Sequence, residues 1–168
     1  RNLRKQFDEG NEKKTKVLND ISFDVEEADF IAIMGPSGSG KSTLLHNVSG
    51  LDQPSSGTII LEEKNITDLD QREMADIRLR KFGFVFQQPH LINTLTVREN
   101  IILASSVLNK QIDKSITDKA NELMKLTGII ELADKDTMSL SGGQAQRVSI
   151  CRSFMNNPKL VFADEPTG

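Results

Sequence analysis

The chain has 168 residues, 37% of them hydrophobic and 27% charged, which suits one globular domain able to bury a core without disulfides or metals. A net charge of −3, eight Phe and neither Trp nor Tyr argue against a nucleic-acid partner, since single-strand binding needs stacked rings along a basic groove. One cysteine, Cys151, excludes an internal disulfide; with only His46 and His90 beside it there is no zinc set, and no apolar run nears the roughly 18 residues of a bilayer span.

In chain order, the charged stretch from Asp8 to Lys16 reads as a surface loop between strands. Apolar residues then alternate with Asp and Glu up to Phe30-Ile31-Ala32-Ile33-Met34, a short uninterrupted run that predicts a buried parallel strand. Gly35 to Gly40 break it, Leu44, Leu45 and Val48 recur at helical spacing, and Gly50 supplies a left-handed cap. Pro54 and Gly57 mark a turn before a strand over Thr58 to Leu61. A helix follows over Gln71 to Lys81, then a buried strand over Gly83 to Gln87.

From about Leu91 to Ala133 the texture is helical. Thr96 and Glu99 have capping-box spacing ahead of Ile101 to Leu103, and a second helix runs from Ile116 to Leu126, stopped at Gly128. A third runs from Gln144 to Asn157, stopped by Pro158, and Leu160 to Ala163 is a last buried strand. The chain is therefore α/β, with strands on either side of an all-helical insertion.

Three motifs carry chemistry. Gly35-Pro36-Ser37-Gly38-Ser39-Gly40-Lys41-Ser42, followed by Thr43, matches the P-loop pattern. Glycines let backbone N–H groups turn inward around a phosphate, Lys41 adds a cation, and Ser42 offers a hydroxyl to Mg²⁺. Leu140-Ser141-Gly142-Gly143-Gln144 has two readings: a capping box between Ser141 and Gln144, or a helix N-terminus whose bare N–H groups face an anion. The strand Leu160–Ala163 ends in Asp164 and Glu165, either a polar turn before Pro166 or a metal-holding and water-polarising pair.

The order of P-loop, Gln87 at a strand end, helical segment, LSGGQ and Asp-Glu resembles the ABC ATPase family over essentially the whole chain. Leu51-Asp52-Gln53-Pro54-Ser55-Ser56-Gly57-Thr58, Phe82 to Gln87 and Asp164 to Gly168 are similar to the branch serving lipoprotein release, macrolide export and antimicrobial-peptide export. The resemblance implies a P-loop NTPase core, a parallel sheet with flanking helices, joined by an N-terminal antiparallel β subdomain. Core and β subdomain would occupy about 1–90 and 144–168, and a helical signature subdomain about 91–143.

It further implies ATP and Mg²⁺ as ligands. Gln87 and Asp164 would join Ser42 at the metal, and Glu165 would be the general base. Ser141, Gly142 and Gly143, with Gln144, would meet the γ-phosphate held by a second ATPase subunit. Phe7 stands where the family usually stacks a tyrosine on adenine, although a surface or strand-edge Phe is the plainer alternative. The implied partners are a second copy in a homodimer and a membrane permease on whose cytoplasmic face the protein sits, the permease being its only route to the membrane.

Two departures from the family are visible: Ala28-Asp29 where a glycine is common, and Cys151 where alanine is usual, read as a packed thiol. The resemblance also implies a continuation beyond Gly168 with a D-loop aspartate and a switch histidine, which neither His46 nor His90 can be. Because the chain begins at Arg1 rather than Met, either its N-terminus is trimmed or the sequence starts inside an open reading frame, and alone it is expected to be inactive and poorly soluble. A coupling module on a non-transporting membrane partner is the alternative to a transport motor. Chromosome-organising ABC ATPases would need long heptad arms, and Asn109-Lys110-Gln111-Ile112-Asp113 has the wrong spacing for a GTPase.

Overall fold

The computed structural model describes residues 1–8, 14–109 and 111–166. Most of the expected loop from Asp8 to Lys16, together with Lys110 and the pair Thr167-Gly168, lies outside them. The chain divides into two compact units, Arg1–Met74 and Ala75–Gly168.

In the first unit, β1 (Leu3–Asp8) pairs antiparallel with β2 (Lys14–Ile21), with register shifts on both sides of Lys5. Leu3 and Leu18 are buried with Leu44 of helix α1 (Lys41–Val48), and Ile21, Val48 and Ile59 pack against them. The other edge of β1 is bound as well: the Arg4 N–H donates to the Ser56 carbonyl at 2.9 Å, and the Ser55 N–H to the Arg4 carbonyl at 2.8 Å. Gly50 caps α1 as expected, at φ 66°, and the Leu51 N–H closes on the His46 carbonyl at 2.9 Å. The strand expected over Thr58–Leu61 contracts to β3 (Ile60–Leu61), paired with β4 (Lys64–Asn65). Glu62 and Glu63 turn the chain between them, both at positive φ as a two-residue hairpin loop requires.

The buried parallel strand expected over Phe30–Met34 is not formed. These residues have no regular secondary structure, with Phe30 96% and Met34 89% exposed. An apolar run becomes a strand only when neighbouring edges take up its N–H and C=O groups, and among the described residues none is paired to it. Hydrophobicity predicted burial; pairing, which hydrophobicity does not encode, decided otherwise.

Helix α2 (Gln71–Lys81) matches its expected span and leads to the second unit. There β5 (Phe82–Val85) and β6 (Leu160–Ala163) pair in parallel, Phe82 opposite Leu160 and Val85 opposite Ala163. Phe84 stacks on Phe162 with centroids 5.6 Å apart. Helices α3 (Val97–Leu108), α4 (Lys114–Leu126) and α5 (Gly142–Phe154) enclose the main core. Val97, Ile101, Met124, Ile129 and Val148 are wholly or almost wholly buried there, each worth about 1.5–3 kcal/mol against exposure.

Local chemistry explains the helix starts. Thr96 and Glu99 form the expected capping box for α3, and Asp113 caps α4 by accepting from the Ile116 N–H at 3.0 Å. Gly83 is demanded by packing, since a Cβ there would lie 2.5 Å from the Ser153 carbonyl oxygen of α5. Helix α5 begins two residues before the expected Gln144 and ends at Phe154 rather than Asn157, whose φ of 50° breaks the helix ahead of Pro158. Cys151 is buried as expected; its thiol lies 3.1 Å from the Thr127 hydroxyl, and burial raises its pKa.

Candidate functional site

In the first unit, the turn after the exposed segment 30–34 is built by glycine conformations. Gly38 and Gly40 have φ of 77° and 93°, and Gly40 caps α1 with no side chain in the way. A Cβ on Gly40 would meet Val17 at 3.0 Å, and one on Gly35 would come within 2.7 Å of the Ser39 hydroxyl. At Gly40 the backbone thus combines a left-handed φ with an approach to Val17 that a side chain would strain. Lys41 opens the helix and its ammonium donates to the carbonyls of Gly35 and Pro36, both at 3.0 Å, so the cation sits over the loop itself. The Ser39 N–H closes the turn onto the Pro36 carbonyl at 3.2 Å. Ser37 and Ser42 are exposed, and Thr43 in the first helical turn is half-buried. Phe7, near the end of β1, has a 43% exposed ring.

The second unit gathers the remaining candidates in two places. Because β5 and β6 are parallel and in register, the residues just beyond their C-terminal ends emerge side by side. The Asp164 N–H continues the ladder to the Val85 carbonyl at 2.9 Å. One residue further, the Gln87 side-chain amide donates to a Glu165 carboxylate oxygen at 3.1 Å across 78 residues of sequence. Glu165 has φ of 45°, a left-handed conformation that a non-glycine residue holds only where its surroundings enforce it.

The other place is the start of α5. Ser141 accepts from the Gln144 N–H at 3.3 Å while the Gln144 side chain accepts from the Ser141 N–H at 2.9 Å. The capping-box reading of this motif is thus correct, and it does not account for the glycines. Neither Gly142 nor Gly143 has positive φ, and a Cβ on either would meet nothing within 4 Å. This chain's own fold leaves both positions open to any small residue.

Two functional candidates lay beyond sequence reasoning. Gln146 donates to the Phe86 carbonyl at 3.0 Å, and Arg152 to the carbonyls of Pro89 and His90 at 2.6 and 3.0 Å. Both project from α5 and hold the segment that carries Gln87. Burial lowers the Arg152 pKa, and His90 is held at φ of 47°. A polar helix residue bonding a loop carbonyl leaves no periodicity or spacing to read.

Comparison with known proteins gives this arrangement its context. The profile of the ABC transporter family matches residues 18–168. The chain belongs to the ABC transporter family. Among curated ABC relatives, the bacitracin export ATP-binding protein BceA of Halalkalibacterium halodurans is 44% identical over 155 residues, covering 92% of this chain. The chain spans 61% of that relative's length. Among solved ABC structures, the dimeric post-hydrolysis cassette MJ0796 bound to ADP and Pi superposes with a TM-score of 0.90 at 38% identity. That match covers 99% of this chain and 73% of the other. A second dimeric structure of MJ0796, described as a bacterial ABC transporter cassette, gives 0.91 at 37% identity, covering 100% and 73%. The fold is thus that of the ABC cassette, a P-loop NTPase core with an antiparallel β subdomain. No helix among the described residues is long and apolar enough to cross a membrane.

Proposed function

We propose that this chain is part of the ATP-binding and ATP-hydrolysing motor subunit of an ABC exporter, which drives a separate membrane permease by closing on a second copy of itself. The meeting of Gln87 with Glu165 at the ends of a parallel strand pair carries the reading, because it sets a carboxylate and an amide together where such sheets bind ligands. Gly35 to Thr43 would cradle the phosphates, with Lys41 opposing their charge and the α1 N-terminus facing them. Phe7 would stack on the base. Glu165 would take the proton of the attacking water, and Gln87 would orient that water and signal its presence to the helical segment.

Mg²⁺ fits this residue set. Among the described residues no cluster of three or more His, Cys, Asp or Glu could cage a metal. Ser42 in the first unit, and Gln87 and Asp164 in the second, would be its protein ligands, since a hydroxyl, an amide and a carboxylate supplemented by phosphate and water are the oxygen donors that Mg²⁺ takes. The ion, when bound, neutralises charge developing on the phosphates.

The open space around Gly142 and Gly143 supports a signature acting on a partner. These positions gain nothing from glycine within the chain, so the requirement lies with whatever approaches them, and a γ-phosphate held by the second copy suits the bare N–H groups. Ser141 and Gln144 would hold that helix end in shape. The division into core and β subdomain over about 1–90 and 144–168, with a helical subdomain over about 91–143, belongs to the same proposal. So does a position on the cytoplasmic face of the membrane, with all membrane contact through the permease.

The test is Glu165→Gln in the full-length protein. With ATP and Mg²⁺ it is expected to elute as a dimer in size-exclusion chromatography and to release no phosphate. A variant that stays monomeric, or hydrolyses at the parent rate, refutes the proposal.

A further inference from the structure

The first unit contains a polar chain that links the Phe7 strand to the phosphate-loop helix. Lys5 lies two residues before Phe7 on β1, between the two register shifts, and its side chain is only 12% exposed. Its ammonium makes three contacts: the Asp52 carboxylate at 2.7 and 2.8 Å, the Gln53 carbonyl at 2.6 Å, and the Phe7 ring, whose centroid is 5.1 Å away. Asp52 in turn is fastened to α1 twice. Its N–H donates to the His46 carbonyl at 3.0 Å, and its carboxylate accepts from the Asn47 side chain at 3.3 Å. Asn47 is fully buried and also donates to the Thr43 carbonyl at 3.0 Å, in the first turn of the helix that Lys41 opens.

We infer that Lys5 is a positioning residue for the base end of the nucleotide, fixing the Phe7 ring at a set distance from the phosphate loop through Asp52 and Asn47. The inference rests on the proposed stacking of Phe7 on adenine and adds the part that makes such stacking productive. A base and a triphosphate are joined by a short linker of limited reach, so a stacking ring contributes most affinity when it is already held within that reach of the phosphate loop. The Phe7 backbone pairs with Thr15 of β2, but its ring carries no polar group to fix its orientation, and the strand shifts register just before it. Lys5 supplies the missing anchorage. The ammonium takes up one face of the ring by cation–π attraction, leaving the half-exposed remainder to the base, while the ion pair to Asp52 ties β1 to α1. With a side chain 12% exposed, the lysine is not a solvated surface charge.

The test separates the base from the phosphates. In the full-length protein with Mg²⁺, affinities for ATP and for inorganic tripolyphosphate are measured by calorimetry in the parent, Lys5→Met, Lys5→Arg, Phe7→Ala and the Lys5→Met/Phe7→Ala double variant. Lys5→Met is expected to weaken ATP about three- to tenfold while leaving tripolyphosphate unchanged, and Lys5→Arg to recover most of the loss. In the Phe7→Ala background Lys5→Met is expected to cost nothing further, because the ring it positions is gone. Equal weakening of both ligands by Lys5→Met, or no weakening of either, overturns the positioning role while leaving Phe7 stacking intact. If Phe7→Ala itself leaves the ratio of the two affinities unchanged, the stacking reading fails and this inference falls with it. Asp52→Asn removes the same ion pair from the other side, so a misfolded Lys5→Met protein does not leave the question open.

Discussion

Replacing Arg152 by methionine keeps a long apolar stem and removes the two bonds that hold the segment around Gln87. Those bonds run from one guanidinium to the carbonyls of Pro89 and His90. Hydrogen bonds from a charged donor contribute about 1.5–3 kcal/mol each, so the gross loss is about 3–6 kcal/mol. Part of it returns because the guanidinium is itself desolvated, as the lowering of its pKa by burial shows. His90 also sits at a φ of 47°, and releasing it relieves about 1 kcal/mol or more of backbone strain. The net destabilisation expected is about 2 kcal/mol, a melting-point drop of roughly 4–8 °C for a protein of this size or somewhat larger.

The effect should be local before it is global. Amide hydrogen exchange in the full-length protein is expected to quicken over 86–92 while α3 and α4 keep their protection. Arg152→Lys should recover only part of the loss, because a lysine ammonium lacks the planar fork that spans two carbonyls. An Arg152→Met protein with unchanged exchange over 86–92, and with stability within about 0.5 kcal/mol of the parent, refutes the claim that α5 holds this segment.

Gly142→Ala and Gly143→Ala should leave the fold as stable as before, or firmer by up to about 1 kcal/mol, while lowering ATP turnover in the full-length protein. Thermal melting and phosphate release together decide the matter, and a fall in melting point with unchanged turnover contradicts it. Asn100→Leu should cost about 3–5 kcal/mol in urea denaturation. The side chain is fully buried, donates to the carbonyls of Ile92, Leu95 and Thr96, and accepts from the Ile92 N–H. Leucine takes this partner from the Ile92 N–H and the Leu95 carbonyl, while the Ile92 carbonyl keeps the Leu95 N–H and the Thr96 carbonyl keeps the Asn100 N–H. The Glu99 pKa is lowered by hydrogen bonds from the Thr96 N–H and hydroxyl. Its stabilisation is therefore complete above the unfolded glutamate value of about 4.3 and lost as pH falls through the depressed folded value. Glu99→Gln should then melt below the parent at neutral pH and converge with it in strong acid, in parallel pH series.

What could be read from the chain in advance was whatever closes within a few residues. The capping boxes at Thr96/Glu99 and Ser141/Gln144, the glycine turn ahead of Lys41 and the cap at Gly50 each join groups at most a turn or two apart. Strand β6 and helix α2 fell where their patterns put them. Contacts that depend on distant chain returning to the same place could not be read. Gln87 and Glu165 were each singled out, yet their bond required the parallel register of β5 on β6. Phe30–Met34 failed for the complementary reason: the run advertises a strand, but the partner edge that makes one is not written within the run. Lys5, Gln146 and Arg152 carry signals no different from those of any solvated cation or amide until their acceptors are known.

The half-exposed ring of Phe7 has a practical consequence. With neither Trp nor Tyr in the sequence, intrinsic emission from this chain is confined to the weak output of phenylalanine, and the fluorescence window used for most proteins is dark. A single Phe7→Trp substitution would therefore install a lone fluorophore on β1, beside the Lys5 ammonium and with almost half of the native ring's surface open. A purine stacked on it would quench it, and the cation at its other face would tune its colour. Arrival and departure of the base could then be followed in real time, without attaching a dye or correcting for any other residue in this chain.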